Sequence, residues 1–153
     1  MQGIAFFIAA NFSGEPTIRA VELNRYGEVI SDASFSLEEE KKSTVSFSPP
    51  LAYLYEPSAA VLKAGAFKGT AEKFQLKKLA PSSHLYTSDS LVDFPGRIFK
   101  VIEHVKLTSK LKDRFANGHA NILTRNHPLS VEEIKKKTGI ERRRRGIPDR
   151  HTG

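Results

Sequence analysis

Residues 53–67 read YLYEPSAAVLKAGAF. The first five residues form an aromatic segment that ends at Pro57, and a helical pattern follows it. The apolar residues that recur at three- and four-residue spacing are Ala60, Val61, Ala64, Phe67, Ala71 and Phe74. This spacing predicts an amphipathic helix from about Ser58, with Pro57 near its first turn. Gly65 and Gly69 weaken the middle, so we expect the helix to break there.

The segment upstream of this pattern predicts a β-hairpin. Thr17–Leu23 alternates between apolar and polar residues as a half-buried strand does, and 24–27 (NRYG) is a turn signal. Val29–Leu37 is then predicted as the returning strand. Residues 38–43 form a charged run, and Pro49 and Pro50 mark a plausible boundary. Two strands are too few to enclose a core, so residues 1–48 are expected to be the edge of something larger.

Three short strands are predicted downstream. The first is His84–Thr87, which follows a Pro-Ser-Ser turn. The others are Arg97–Glu103, which follows a Phe-Pro-Gly turn, and Ala120–Thr124.

Two helices are predicted among these strands. The first is a short basic helix over Ser109–Phe115 that ends at Asn117-Gly118. The second begins at Ser130, where Ser130 and Glu133 form a capping box that satisfies early helix amides. It is expected to run to about Thr138 and to stop at Gly139.

Composition and charge narrow the classes of function. The 153 residues contain no cysteine, which excludes disulfides and thiolate metal sites. The net charge is +7, but residues 1–93 carry −2 and residues 94–153 carry +9, which suggests a polyanionic partner for the second half. A solvated basic surface without a partner is the alternative. The apolar stretch Ile4–Ala10 is too short to span a membrane, so we expect a buried element, a cytoplasmic protein and no membrane partner.

Signatures of an independent enzyme are missing from the sequence. Gly65–Gly69 lies inside a helical pattern and not after a strand, so it is not a cofactor-binding turn. The five histidines lack metal-ligand spacing, and no metal site is expected. The run 82–84 (SSH) has no nucleophile-elbow context. Tyrosines 53, 55 and 86 fit packing better than stacking on a base, although both remain open.

The basic residues of the last third carry the functional hypothesis. Lysine and arginine neutralise phosphates and give nucleic-acid affinity without reading the sequence. Few aromatic residues lie among them, which favours recognition of folded RNA by shape and backbone. The candidate RNA-binding residues are Arg97, Lys100, Lys106, Lys110, Lys112, Arg114 and Arg125, and Lys135, Lys136 and Lys137 extend this set.

Several motifs, in this order along the chain, resemble a bacterial family of class I S-adenosylmethionine-dependent methyltransferases. They are residues 53–67 (YLYEPSAAVLKAGAF), 84–88 (HLYTS), 93–97 (DFPGR), 120–126 (ANILTRN) and 128–133 (PLSVEE). The resemblance runs from about Phe12 to Ile140. In that family a catalytic domain is followed by a ferredoxin-like domain and then by a THUMP-like domain.

The resemblance implies an α+β chain made of parts. Residues 1–48 would be the last strands, a β-hairpin remnant, of a Rossmann-like catalytic domain; 49–92 would be ferredoxin-like and 93–153 THUMP-like. Both later parts would be small α/β sandwich-like units. The motifs that bind S-adenosylmethionine would lie upstream of Met1, so this chain would hold no cofactor and no catalytic residue. Its partners would be RNA, such as tRNA or rRNA, and the catalytic domain.

The tail departs from the family's pattern, which continues with a glycine-rich turn and a final strand. Residues 141–153 instead read ERRRRGIPDRHTG. Plausible codons for Gly146–Gly153, read one base later, spell EYLIGTR, which is close to the expected strand. A frameshift is therefore our hypothesis, and resequencing would decide it. Besides RNA binding, the sequence leaves open a structural docking role, a non-functional remnant and a small independent enzyme.

Overall fold

The computed structural model describes residues 11–125 and 127–142. The apolar stretch Ile4–Ala10 and the frameshifted tail proposed beyond Arg142 lie outside the described residues. The chain divides into two compact units between Ile102 and Glu103. The strands are Thr17–Leu23 (β1), Val29–Ser36 (β2), Tyr53–Pro57 (β3), Lys77–Lys78 (β4), Tyr86–Ser88 (β5) and Gly96–Lys100 (β6), and the α-helices are Leu37–Lys42 (α1), Ala59–Ala64 (α2), Phe67–Lys73 (α3) and Val131–Thr138 (α4). This mixture confirms the α+β prediction.

The predicted hairpin is present, with β1 and β2 antiparallel. Its turn is held by the Asn24 side chain, which accepts hydrogen bonds from the amides of Tyr26 and Glu28 at 2.8 and 3.0 Å. One face of the hairpin buries Ala20, Ala33 and Phe35 together with two residues of the α2 region, Val61 and Ala66. The hairpin therefore shares its core with the following segment, because two strands cannot enclose one.

The charged run after the hairpin forms α1, a helix that the sequence reading did not predict. Ser36 caps it with a complete capping box to Glu39, and acidic residues fill its first turn while Lys41 and Lys42 lie in its last. This charge order suits the helix dipole, which explains why such a polar run becomes helical.

A four-stranded antiparallel sheet in the order β4-β5-β3-β6 forms the second layer. Tyr55 and Tyr86 face each other across β3 and β5, and both are fully buried with Phe94. The strand predicted at His84–Thr87 is observed at Tyr86–Ser88. The strand predicted over 97–103 ends at Lys100.

The long amphipathic pattern breaks at the predicted point. Gly65 adopts the left-handed conformation with φ +72° and ends α2, and α3 begins two residues later. Ser58 is the N-cap of α2, with its side chain accepting from the Val61 amide. Pro57 belongs to β3, one residue before the cap, and not to the first helical turn as predicted.

The start of α3 is capped by a residue distant in sequence. Its own N-cap residue, Ala66, has no side chain that can accept a hydrogen bond. Glu40 on α1 supplies the acceptor instead: one carboxylate oxygen accepts from Lys68 N at 2.9 Å and the other from Gly69 N at 2.7 Å. A carboxylate at this position also interacts favourably with the helix dipole.

Replacing Glu40 with alanine should therefore lower the free energy of unfolding by about 1–2 kcal/mol, the usual value of a helix cap. Glu38→Ala is the matched control on the same helix, because the Glu38 carboxylate pairs with the exposed Lys42, which is worth about 0.5 kcal/mol. Urea denaturation followed by circular dichroism measures both. Equal losses in the two variants would show that Glu40 is not a cap.

The second unit contains α4, which begins and ends as predicted. Ser130 and Glu133 form the capping box, and Gly139 closes the helix with φ +70°. Ile134 and Thr138 are buried. The basic helix predicted over 109–115 is a shorter 3₁₀ turn, Leu111–Arg114.

The strand predicted over Ala120–Thr124 is wrong: these residues form no strand in the described structure. A single isolated bridge joins His119 to Glu141, and Ala120 N donates to Glu141 O at 3.0 Å. Since a strand needs a continuous partner, alternation of side chains alone does not produce one here.

Candidate nucleic-acid interface

The candidate RNA-binding residues fall into both units. Arg97 and Lys100 lie on β6 in the first unit. The remaining five, Lys106, Lys110, Lys112, Arg114 and Arg125, lie in the second unit. Within each unit, these residues differ in the groups that their side chains contact.

Arg97 is already engaged by a carboxylate. It forms an ion pair with Glu56 on β3, whose side chain is only 6% exposed, while the Arg97 side chain is 61% exposed. A buried carboxylate needs a hydrogen-bonded counter-charge, so the position of Arg97 is set by the sheet. Its guanidinium also lies 5.6 Å from the centre of the Phe99 ring.

Three of the predicted cations surround one recess in the second unit. The recess has a volume of about 480 Å³ and is lined by Lys106, Lys110 and Arg114, together with His104 and Thr108. Asp113 contributes the one carboxylate among its described lining residues. A shallow, open depression lined by several cations, a hydroxyl and an imidazole suits a phosphate group. Sequence reasoning missed His104 and Thr108, because neither carries a charge signal of its own.

Arg114 in this recess is held by a weak partner. It pairs with Glu103, and the side chains are 54% and 44% exposed. An exposed pair of this kind contributes little to stability and can be exchanged for another anion. Arg114 is therefore oriented by Glu103 and remains available to a phosphate.

Lys112 and Arg125 do not line the recess. A Cβ placed on Gly139 would lie 3.1 Å from Lys112 Cδ, so the Lys112 stem lies against the end of α4. There its charge interacts favourably with the negative end of the helix dipole. Arg125 donates to the Thr124 carbonyl at 2.8 Å. Lys135 to Lys137 lie in the last turn of α4, where Lys135 pairs with Glu132 at 2.8 Å.

A larger recess in the first unit has the opposite charge. It measures about 830 Å³ and is lined by five glutamates, namely Glu15, Glu38, Glu39, Glu40 and Glu72, as well as by Lys42 and Lys73. An acidic wall repels phosphate. Of these two recesses, only the one in the second unit suits a polyanion.

Two buried ionisable groups, Lys78 and Tyr86, and the exposed His84 have structural roles in the first unit. Burial lowers the pKa of Lys78, although Glu40 acts in the opposite direction, and its amine donates to the Pro81 carbonyl at 2.9 Å. Burial also raises the pKa of Tyr86, whose hydroxyl donates to the Phe67 carbonyl at 2.9 Å. The pKa of His84 is lowered by burial and by Lys78, and its ring stacks on Phe67 at 4.0 Å.

The serine and glycine candidates for enzyme chemistry have local structural contacts. The hydroxyl of Ser83 accepts from the Leu85 amide at 3.2 Å, a turn contact. Within residues 11–125 and 127–142, no three His, Asp or Glu side chains group so as to hold a metal ion. Gly65 ends a helix and Gly69 lies within one, under the Glu40 carboxylate. These glycines therefore do not fit a loop for S-adenosylmethionine.

Comparison with known families defines the class of domain. Residues 53–95 match a family described as a ferredoxin-like domain, and residues 96–148 match one described as THUMP domain-like. The chain is thus similar to a ferredoxin-like domain over residues 53–95 and to a THUMP-like domain over residues 96–148. Strand β6 begins where the second match begins, yet it pairs with β3 of the first match. The domain boundaries predicted from the sequence, 48/49 and 92/93, remain predictions.

One solved structure adds a longer relative. It is the crystal structure of a candidate methyltransferase from Porphyromonas gingivalis W83, with 35% identity and a TM-score of 0.70 over 82% of this chain. This chain spans 32% of that protein's length. No curated protein matches the chain. In the described residues no helix is long and apolar enough to cross a membrane.

Proposed function

We propose that this chain is the RNA-contacting, substrate-orienting C-terminal part of an S-adenosylmethionine-dependent methyltransferase, without catalytic activity of its own. The observation that carries the proposal is the basic recess at His104–Arg114, which lies in the THUMP-like region. The resemblance to a longer candidate methyltransferase, of which this chain covers 32%, supports the presence of a catalytic partner domain. Because Gly65 and Gly69 belong to helices and not to a cofactor-binding loop, S-adenosylmethionine would be bound by that partner.

The recess would contribute by positioning. Contacts to RNA phosphates, remote from the reacting atom, hold the target near the methyl donor, and correct orientation can supply a large part of a rate enhancement. Lys106 and Lys110 would bind phosphate directly, and Arg114 would exchange Glu103 for it.

Replacing Lys106, Lys110 and Arg114 together with glutamine should weaken binding of tRNA or structured rRNA fragments by roughly 100-fold at low salt. The slope of log affinity against log salt should also become less steep by about 2–3, because each lost phosphate contact removes about 0.9. Fluorescence anisotropy across a salt series measures both quantities.

The matched control replaces Lys135, Lys136 and Lys137 with glutamine, which removes the same charge from α4. We expect a much smaller loss from this variant. Equal losses of affinity in the two triple variants would show that RNA binds a diffuse basic surface and not the recess. No binding by the folded wild-type chain at low salt would refute the RNA-binding proposal.

A docking role is the second candidate function, and the hairpin favours it. Leu23, Val29 and Ile30 are exposed next to its turn. Exposed apolar side chains on a two-stranded sheet suit contact with another domain. If RNA binding fails, this surface would dock the catalytic domain and the basic residues would be a solvated face.

A further inference from the structure

We propose that the outer face of the β3–β6 pair binds an unpaired base of a nucleic acid, with Phe99 and Arg97 as the stacking groups. The inference rests on the proposed function and deepens it. The sequence predicted contacts to shape and backbone, and this site adds contact to a base.

The strand register places Phe99 on the face opposite to the core. Phe99 pairs with Leu54 and Arg97 with Glu56, whereas Ile98 pairs with Tyr55. Successive side chains on a strand point to opposite faces. Because Tyr55 belongs to the buried core cluster, Phe99 and Arg97 lie on the other face, where residue Phe99 is 39% exposed.

The two stacking groups are held in place before any ligand binds. The buried Glu56 carboxylate fixes the Arg97 guanidinium, and Leu54 lies beside Phe99 in the register. The guanidinium lies 5.6 Å from the ring centre, which is farther than the roughly 3.5–4 Å of two stacked planes. The guanidinium lies over the ring at this distance, and 39% of the Phe99 surface remains accessible beside it. Planar groups that are already held in place lose little conformational entropy when a base stacks on them.

The location also suits a nucleic acid. Strand β6 is at one edge of the sheet. At the other edge, β4 is covered by residues 46–48, which form hydrogen bonds with Lys78. Lys100 follows Phe99 on this strand, but it pairs with Tyr53 and so lies on the opposite face, which leaves Arg97 as the cation of the site. Aromatic side chains on an open antiparallel sheet are a recurrent platform for single-stranded bases.

Another exposed aromatic residue lacks these features and serves as a control. Tyr26 lies in the β1–β2 turn with Arg25 at 4.6 Å from its ring. Arg25 there donates to the Tyr26 hydroxyl itself. This pair lies in residues 1–93, which carry a net negative charge. We therefore expect no base to stack on it.

The test uses a single-stranded RNA of mixed sequence and an abasic oligomer of the same length, which keeps the phosphates without the bases. Phe99→Leu keeps an apolar side chain beside Leu54 and removes the ring. It should weaken binding of the base-bearing RNA at least about fivefold and leave the abasic oligomer unchanged. The triple recess variant should weaken both.

A second readout reports on the site directly. The sequence contains no tryptophan, so Phe99→Trp introduces the sole indole. Its fluorescence should be quenched by the base-bearing RNA and not by the abasic oligomer, while Tyr26→Trp should respond to neither. Unchanged affinity in Phe99→Leu together with no quenching in Phe99→Trp would overturn the inference and leave phosphate binding intact. Failure of the wild-type chain to bind either oligomer while it still binds tRNA would overturn this inference alone, and failure to bind tRNA as well would overturn both proposals.

Discussion

Replacing Gly96 with alanine should destabilise the first unit more than alanine at Gly65, the other structurally constrained glycine near β3. A Cβ at position 96 would lie 2.1 Å from the Glu56 carbonyl oxygen and 2.9 Å from Pro57 Cα. Both are backbone atoms, so the clash cannot be relieved by a side-chain rotation. Relief requires separation of β6 from β3, and we expect a loss of about 3 kcal/mol or more in the free energy of unfolding.

The control for this prediction is Gly65→Ala. Gly65 has a left-handed φ of +72°, but a Cβ added to it would meet no atom within 4 Å. Its substitution therefore costs only the conformational strain, about 1–2 kcal/mol. Denaturant unfolding of both variants separates the two effects. A Gly96→Ala protein as stable as Gly65→Ala would mean that β3 and β6 do not approach as closely as described.

The same glycine shows what a sequence can and cannot reveal. The Phe94-Pro95-Gly96 turn was predicted from its residues, because turn chemistry is local. The reason that no Cβ fits there is not local, since it depends on Glu56, which lies on another strand. The capping box at Ser130 was predicted for the first reason, and the Glu40 cap of α3 was missed for the second.

Strands were harder to predict than helix ends. The Ala120–Thr124 pattern has the composition of a strand, but its described neighbour provides only the bridge at His119 and Glu141. Tertiary structure determines which segments pair. A segment with the composition of a strand but no second strand beside it therefore forms no strand.

The charge pattern predicted which residues form the candidate site, and the contacts in the structure corrected that set. Charge asymmetry selected the basic residues, but it could not show that Arg97 serves a buried carboxylate 41 residues away. It also could not group Lys106, Lys110 and Arg114 around one recess or separate Lys112 from them. Phe99 was not selected, since an aromatic residue in a strand usually packs inward.

Replacing Tyr55 with alanine should be the most damaging change to the core of the first unit. Tyr55 is fully buried, and its ring contacts Phe94 edge-on at 5.3 Å. Its hydroxyl donates to the Ser90 carbonyl at 3.0 Å and accepts from the Val92 amide at 3.1 Å. Truncation removes the ring and leaves a cavity, which costs about 3–5 kcal/mol for an aromatic side chain.

Tyr55→Phe separates the ring from the hydroxyl. It keeps the packing but removes the acceptor of the Val92 amide, a loss of about 1–3 kcal/mol, while the Ser90 carbonyl still accepts from Ser88 Oγ at 2.6 Å. Because β3 lies between β5 and β6, the alanine variant should also displace the Arg97 and Phe99 pair and weaken binding of base-bearing RNA. The phenylalanine variant should keep that binding. If Tyr55→Phe lost RNA affinity as strongly as Tyr55→Ala, the core packing under β6 would not be what positions the stacking groups.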